Sequence, residues 1–146
     1  MDFNALCLGC RTYRRFERKE IPEEILTELL ENARVANSAM NGQVLRYVLV
    51  KSQETVKKLQ PYFHFAAALP KELGQPKEGE QPTAFIILCT EGRESPWTDM
   101  DIGIAVRTMN LNAYNHGVGS CILGNVEFES GSSLMKHPDA LYEVCA

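Results

Sequence analysis

The sequence has 146 residues, of which 45% are hydrophobic and 23% charged, and its formal net charge is −4. These values are typical of one soluble globular domain, predicted here over residues 1–146, and the negative charge argues against a nucleic-acid partner. No apolar run approaches the roughly 20 residues needed to span a bilayer, which argues against a membrane partner. Residues 1–10 do not resemble a secretory signal, and five cysteines without disulfide-framework spacing indicate a reducing cytoplasm.

The first half of the chain predicts helices and one strand around a polar loop. Residues 3–9 favour a short helix, and the proline and carboxylates at residues 20–24 mark the start of a second helix that runs to about Val35. The expected elements that follow are a polar loop (37–43), a strand (45–51), a short helix (53–59), a further helix (61–69) and a proline- and glycine-rich surface loop (70–82).

The second half is organised around residues 101–124. Apolar residues recur there at helical spacing and also cover other faces, which predicts a helix in the core or at a subunit interface. Thr98 and Asp101 resemble a capping box, with Ser95-Pro96 as an alternative start one turn earlier. Gly117 and Gly119 are expected to end the helix.

Buried strands are predicted on both sides of this helix. The continuous apolar run at residues 84–90 is typical of a strand covered on both faces, and residues 120–123 predict a short buried strand. Residues 127–136 favour a weak helix, and residues 141–146 the opening of another strand. Helices that alternate with at least three buried strands indicate an α+β or α/β sandwich.

A basic cluster follows the first predicted helix. Arg11, Arg14 and Arg15 lie within five residues, and Thr12 places a hydroxyl between them. Guanidinium groups match phosphate oxygens in geometry and charge, so the cluster is a candidate phosphate site. The alternative is a solvated positive face.

The polar loop at residues 37–43 is the second candidate site. Its amide side chains offer paired donors and acceptors that suit the edge of a heterocycle. The alternative is an ordinary turn between a helix and a strand.

Four motifs together resemble the nitroreductase family of FMN-dependent oxidoreductases. They are RTYRRF (residues 11–16), IPEEIL (21–26), SAMNGQVLRYVLV (38–50), and DIGIAV with GVGSCILG (both within 101–124). The resemblance implies an α+β fold: an α-β-α sandwich whose central mixed or antiparallel sheet is flanked by helices. It also implies an intertwined homodimer with two flavin sites at the interface and the long helix at its core.

The resemblance also implies which residues bind the cofactor. Arg11, Thr12 and Arg14 would hold the FMN phosphate and ribityl chain, with Cys10 beside the phosphate by its position. Ser38 and Asn41, together with Asn37 and Ala39, would approach the flavin ring from the partner subunit. The backbone of Leu123 and Gly124 would face the reactive edge of the flavin, and no side chain is expected to be an essential acid or base.

The sequence departs from the family pattern at three points. Cys10 stands where the family usually has a second arginine, and Val44 follows the loop glutamine where the family usually has proline. Relatives continue past residue 146 with a strand segment, a further basic phosphate contact and an arm around the partner, which are expected to be absent here. These departures concern the phosphate site and the dimer contact.

The implied function is electron transfer from NAD(P)H through flavin N5 to an electron-poor small molecule such as a nitroaromatic compound or a quinone. The alternative is a flavin or nucleotide carrier, sensor or degenerate member without turnover. No metal site is expected: Cys7 and Cys10 form an isolated CxxC pair, and His64, His116 and His137 are scattered. Capping explains Asp99 and Asp101 better than acid–base catalysis, and Phe63 and Phe65 are expected in the core rather than lining a pocket.

Overall fold

The computed structural model describes residues 2–66, 68–90, 95–124 and 142–145. The helices in these residues are α1 (Phe3–Gly9), α2 (Glu23–Arg34), α3 (Gln53–Leu59), α4 (Lys71–Gly74) and α5 (Thr98–Asn115). The strands are β1 (Arg46–Val50), β2 (Phe85–Cys89), β3 (Cys121–Leu123) and β4 (Tyr142–Cys145). Short 3₁₀ turns lie at Ala39–Asn41 and Gln60–Tyr62.

The strands form one sheet in the order β1-β2-β4-β3, and all three pairings are antiparallel. Val50 pairs with Phe85, and Cys121 pairs with Cys145. The interior position of β2 explains its unbroken apolar sequence, because both of its faces are covered. The strand predicted at the end of the sequence is formed by Tyr142–Cys145.

Two apolar clusters cover the two faces of the sheet. Ile86 and Leu88 of β2 pack with α2 and α5, whereas Phe85 and Ile87 pack with α3 and with Phe63 and Phe65. Alternate residues of a strand point to opposite faces, so β2 contributes to both clusters. The result is a layered α+β sandwich in which α5 lies against the sheet beside α2. No helix in the described ranges is long and apolar enough to cross a membrane.

The helix predicted at residues 61–69 is wrong. The chain makes a 3₁₀ turn at Gln60–Tyr62, Phe63 is extended, and the neighbouring segment predicted as a loop contains α4. Phe63 and Phe65 are both buried, and the ring centroid of Phe63 lies 4.6 Å from that of Phe85. Both rings belong to the apolar cluster on one face of the sheet, so packing overrides the helical pattern. The helix predicted at residues 127–136 lies outside the described residues.

The two ends of α5 are built differently from the predicted ones. At the start, the Ser95 N–H donates to Thr98 Oγ1 over 2.8 Å, and Asp101 turns away from the helix terminus, so the predicted Thr98–Asp101 capping box is wrong. At the end, Gly117 has a φ of 74°, the left-handed conformation expected of a terminating glycine. Glycine is favoured at position 119 because there is no space for a side chain: a Cβ there would lie 2.9 Å from Cγ of Tyr13.

Candidate functional site

The basic segment, residues 11–15, lies beside the start of β3. The Tyr13 N–H donates to the Ser120 carbonyl over 3.0 Å, and Thr12 and Ser120 form an isolated parallel bridge. Leu123 ends this strand and Gly124 follows it, about 10–13 Å beyond Ser120 at the rise of an extended chain. A Cβ built on Gly124 would have no described atom within 4 Å. The basic segment therefore contacts the residue that precedes β3, and Leu123 and Gly124 lie at the other end of that strand.

The arginines of the basic segment divide into two kinds. Arg15 pairs with Glu80 at 3.5 Å and is neutralised there. Arg11 Nη1 donates to the Cys10 carbonyl over 2.9 Å, and Arg14 Nε donates to the Phe65 carbonyl over 2.7 Å. Both guanidinium groups are exposed, and neither forms an ion pair with any carboxylate among the described residues. Among the described residues, Arg11 and Arg14 are therefore the two arginines of this segment that no carboxylate neutralises.

The charge of Arg14 acts on the neighbouring strand. Burial raises the pKa of the Cys121 thiol to about 11, and the positive charge of Arg14 opposes part of this rise. Arg14 therefore lies near the beginning of β3. An anion bound between the basic segment and this strand would sit in a positive field.

The Cys10 side chain is buried against α5. It is 5% exposed, and its thiol donates to Oδ1 of Asn110 on α5 over 3.0 Å. Asn110 Nδ2 in turn donates to Ser120 Oγ over 2.7 Å, and Arg107 Nη1 donates to the same Oδ1 over 2.5 Å. Any contact of Cys10 with a ligand would use its backbone. The sequence reading missed Arg107 and Asn110. The available signal for Asn110 was a polar residue on the buried face of the helix, whereas the exposed Arg107 gave none.

The polar loop is held in a strained conformation. Met40, Asn41 and Gln43 have φ values of 53°, 54° and 46°, in the left-handed region that asparagine tolerates and that methionine and glutamine rarely adopt. Two side chains fix this shape: Asp101 Oδ1 accepts from the Ala39 N–H over 2.8 Å, and Ser38 Oγ accepts from the Gln43 N–H over 3.1 Å. Asp101, predicted to cap α5, instead anchors the loop that contains Asn37, Ser38, Ala39 and Asn41.

A pocket of about 370 Å³ lies beneath the loop. Asn37, Ser38, Tyr47 and Asp101 contribute to its walls. Burial raises the pKa of the Tyr47 phenol, and the negative charge of Asp101 raises it further. Tyr47 donates to the Ala33 carbonyl over 3.2 Å, which places the phenol between α2 and the loop.

The loop and the basic segment lie toward opposite ends of α5. Asp101, which holds the loop, and Asn110, which holds Cys10, are nine residues apart, or about 14 Å along a helix with a rise of 1.5 Å per residue. A single chain therefore keeps the two predicted halves of the cofactor site apart.

The remaining candidate residues form no further site in the described part of the chain. No group of three or more metal-binding side chains occurs there, and Cys7 and Cys10 are free thiols. His116 lies 3.2 Å from Glu28 on the surface, whereas His137 is outside the described residues. Phe63 and Phe65 are in the core, as predicted.

The sequence profile of the nitroreductase family matches residues 9–145. The chain belongs to the nitroreductase family. Two archaeal relatives, from Methanothermobacter thermautotrophicus and Archaeoglobus fulgidus, are each named "Putative NADH dehydrogenase/NAD(P)H nitroreductase". They are 26% and 29% identical over 78% of this chain. The chain spans only 56% and 62% of the lengths of these two relatives.

Solved structures share the fold. A nitroreductase family protein from Clostridium difficile 630 matches 99% of this chain and 83% of its own, with a TM-score of 0.77 at 20% identity. A nitroreductase with bound FMN from Bacteroides fragilis matches 86% of this chain and 71% of its own, with a TM-score of 0.67 at 23% identity. The predicted nitroreductase-like α+β fold is confirmed.

We predict that Asp101→Ala loosens the loop. Removal of the acceptor for the Ala39 N–H leaves a strained segment without its main anchor, and a lost hydrogen bond to a charged group costs about 1–3 kcal/mol. We expect that loss in the free energy of unfolding, with faster amide hydrogen exchange at residues 39–43. Asp101→Asn, which keeps an acceptor oxygen, serves as the control and should lie closer to the wild type. Unchanged exchange in Asp101→Ala would contradict this role.

Proposed function

We propose that the chain is an FMN-dependent oxidoreductase that passes electrons from NAD(P)H to an electron-poor small molecule of the nitroaromatic or quinone type. One observation carries the proposal: Thr12 and Tyr13 of the basic segment contact Ser120 at the start of β3, and Arg11 and Arg14 pair with no carboxylate among the described residues. Family membership and the FMN-bound structural neighbour support flavin as the ligand.

The residues at this surface fit the phosphate end of FMN. Arg11 and Arg14 would supply charge-assisted hydrogen bonds to the phosphate oxygens, and the exposed Thr12 would supply a hydroxyl. Cys10 would contribute only backbone, since its thiol is bonded to Asn110. Leu123 and Gly124, at the far end of β3, would lie along the ring, where the absence of a side chain on Gly124 leaves room for a flat ligand.

A homodimer would complete the site. Trp97, Met100 and Ile104 form an apolar stripe along α5 and are 49%, 56% and 36% exposed in one chain. Their spacing of three and four residues puts them on one helix face, which is the pattern of a helix that packs against another. A second copy on this stripe would bring its own loop, with Asn37, Ser38, Ala39 and Asn41, toward the first copy's basic segment.

The redox chemistry would come from FMN itself, which when bound accepts a hydride at N5 and returns two electrons to an acceptor. The chain would contribute position and charge. Arg11, Arg14 and backbone N–H groups would favour negative charge on the ligand, and the loop would order the ring face that receives substrates. No described side chain is required as a general acid or base.

A second candidate function is flavin or nucleotide binding without turnover. The buried Cys10, at a position where the family usually has a cationic side chain, favours it. The two functions differ in one anaerobic experiment, in which NADPH and then NADH are added to flavin-loaded protein while the absorbance near 450 nm is followed. Loss of the flavin band within seconds supports the reductase, and bound flavin that stays oxidised with both nucleotides contradicts it and supports the carrier.

We predict that Arg14→Glu abolishes most flavin binding without unfolding the protein. Charge reversal replaces an attractive contact with a repulsive one at the phosphate, whereas the folded chain loses only the surface bond to the Phe65 carbonyl. The ratio of flavin to protein absorbance measures occupancy, and circular dichroism measures folding. Arg18→Glu is the matched control, since Arg18 is exposed and bonds Gln53 away from the site. Full flavin content in Arg14→Glu would rule out Arg14 as a phosphate ligand.

A further inference from the structure

Cys10 stands where the family usually has an arginine, and an arginine from α5 lies beside it. Arg107 of α5 directs Nη1 to within 3.5 Å of Cys10 Sγ and donates to Asn110 Oδ1 over 2.5 Å. Arg11 donates to the carbonyl of the same cysteine. Two guanidinium groups therefore flank residue 10, one bound to its backbone and one beside its thiol.

We propose that Arg107 takes over the phosphate-binding role of the arginine that Cys10 replaces, as a third cation for the phosphate group of FMN. The inference rests on the proposed function, because it assigns a further residue to the same cofactor. It also explains how a chain with cysteine at position 10 retains a strongly positive phosphate site.

The donors of Arg107 remain largely available to a ligand. Both described contacts of its side chain use a single nitrogen, Nη1, whereas a guanidinium group has five N–H donors. Within the described ranges, Nε and Nη2 bond no acceptor and Arg107 forms no ion pair. The residue is exposed although its Nη1 is anchored, so a free edge of the guanidinium group can meet an anion.

A polar network holds this guanidinium group in place. Asn110 lies three residues after Arg107, on the same face of α5, and accepts from both Arg107 and Cys10 through Oδ1. The Nδ2 group of Asn110 donates to Ser120 Oγ, and Ser120 forms an isolated bridge with Thr12 just before β3. Arg107 is thus tied by two hydrogen bonds to the strand start that the basic segment adjoins. A side chain fixed in this way loses little entropy when it binds a ligand.

Electrostatics favour an anion at this place. Arg11 and Arg107 are like charges that meet at one residue, and neither is neutralised by a described carboxylate, in a chain whose net charge is −4. Like charges repel each other, and a phosphate dianion bound between them would relieve that repulsion. The alternative is a purely structural Arg107 that only orients Asn110.

The test compares FMN with riboflavin, which lacks the phosphate. Apo-protein is titrated with each flavin, and quenching of flavin fluorescence gives the dissociation constants. For Arg107→Gln we expect FMN affinity to fall about 10- to 100-fold, the range for a lost charged hydrogen bond, and riboflavin affinity to stay within about twofold. Arg18→Gln is the matched control and should change neither.

One further variant separates a phosphate ligand from a structural residue. Arg107→Lys keeps a positive charge and should retain more FMN affinity than Arg107→Gln. Thermal melts confirm that each variant is folded, and Arg107→Lys decides the question if Arg107→Gln does not fold.

The outcomes are distinct. Equal loss of FMN and riboflavin affinity in Arg107→Gln, or unchanged FMN affinity, would overturn the role of Arg107 and leave the proposed function standing. A wild-type protein that binds neither flavin would overturn both. A selective loss of FMN affinity in Arg107→Gln, with higher FMN affinity in Arg107→Lys, would establish Arg107 as a phosphate ligand.

Discussion

Two buried polar side chains on α5 determine where the candidate functional segments lie. Asp101, 4% exposed near the start of the helix, binds the Ala39 N–H of the polar loop, and Asn110, 5% exposed, binds Cys10 and Ser120. A buried polar group without a hydrogen-bond partner costs about 1–3 kcal/mol. Asp101 and Asn110 therefore strongly favour the conformation in which the loop and Cys10 bond to them. The apolar residues of α5 pack against the sheet and α2, and the helix fixes the distance between Asp101 and Asn110.

Helix α5 is the frame that holds the polar loop and the basic segment at two separate places. Ile102, Met109 and Ala113 seat α5 on the sheet, which keeps the two anchors about 14 Å apart. The exposed stripe on the same helix offers a surface for a second copy. In our proposal, a second copy packs on this stripe by two-fold symmetry. The loop of each chain then lies beside the basic segment of the other, and the two together bind the flavin.

The elements whose pattern is local were predictable from sequence, whereas long-range partners were not. Spacing in α5 and the unbroken apolar run of β2 predicted both elements within a few residues. The sequence assigned Asp101 to a cap because a carboxylate three residues after a threonine matches the capping-box pattern. Its actual partner, the Ala39 N–H, lies 62 residues away in the sequence. Phe63 and Phe65 allowed a helical reading until the core showed that both rings pack on one face. Arg107 was missed because its significance depends on Cys10, 97 residues earlier.

Subunit complementation tests most directly whether the site is shared between two chains. Arg14→Glu and Asn41→Glu would each remove flavin binding from both sites of their own homodimer. After the two variants are mixed, unfolded and refolded together, half of the dimers carry one chain of each kind, and each such dimer has one intact site. The account predicts flavin content of about a quarter of the wild-type value in the mixture, from random pairing in a two-fold dimer. A mixture that binds no more flavin than either variant alone would contradict it.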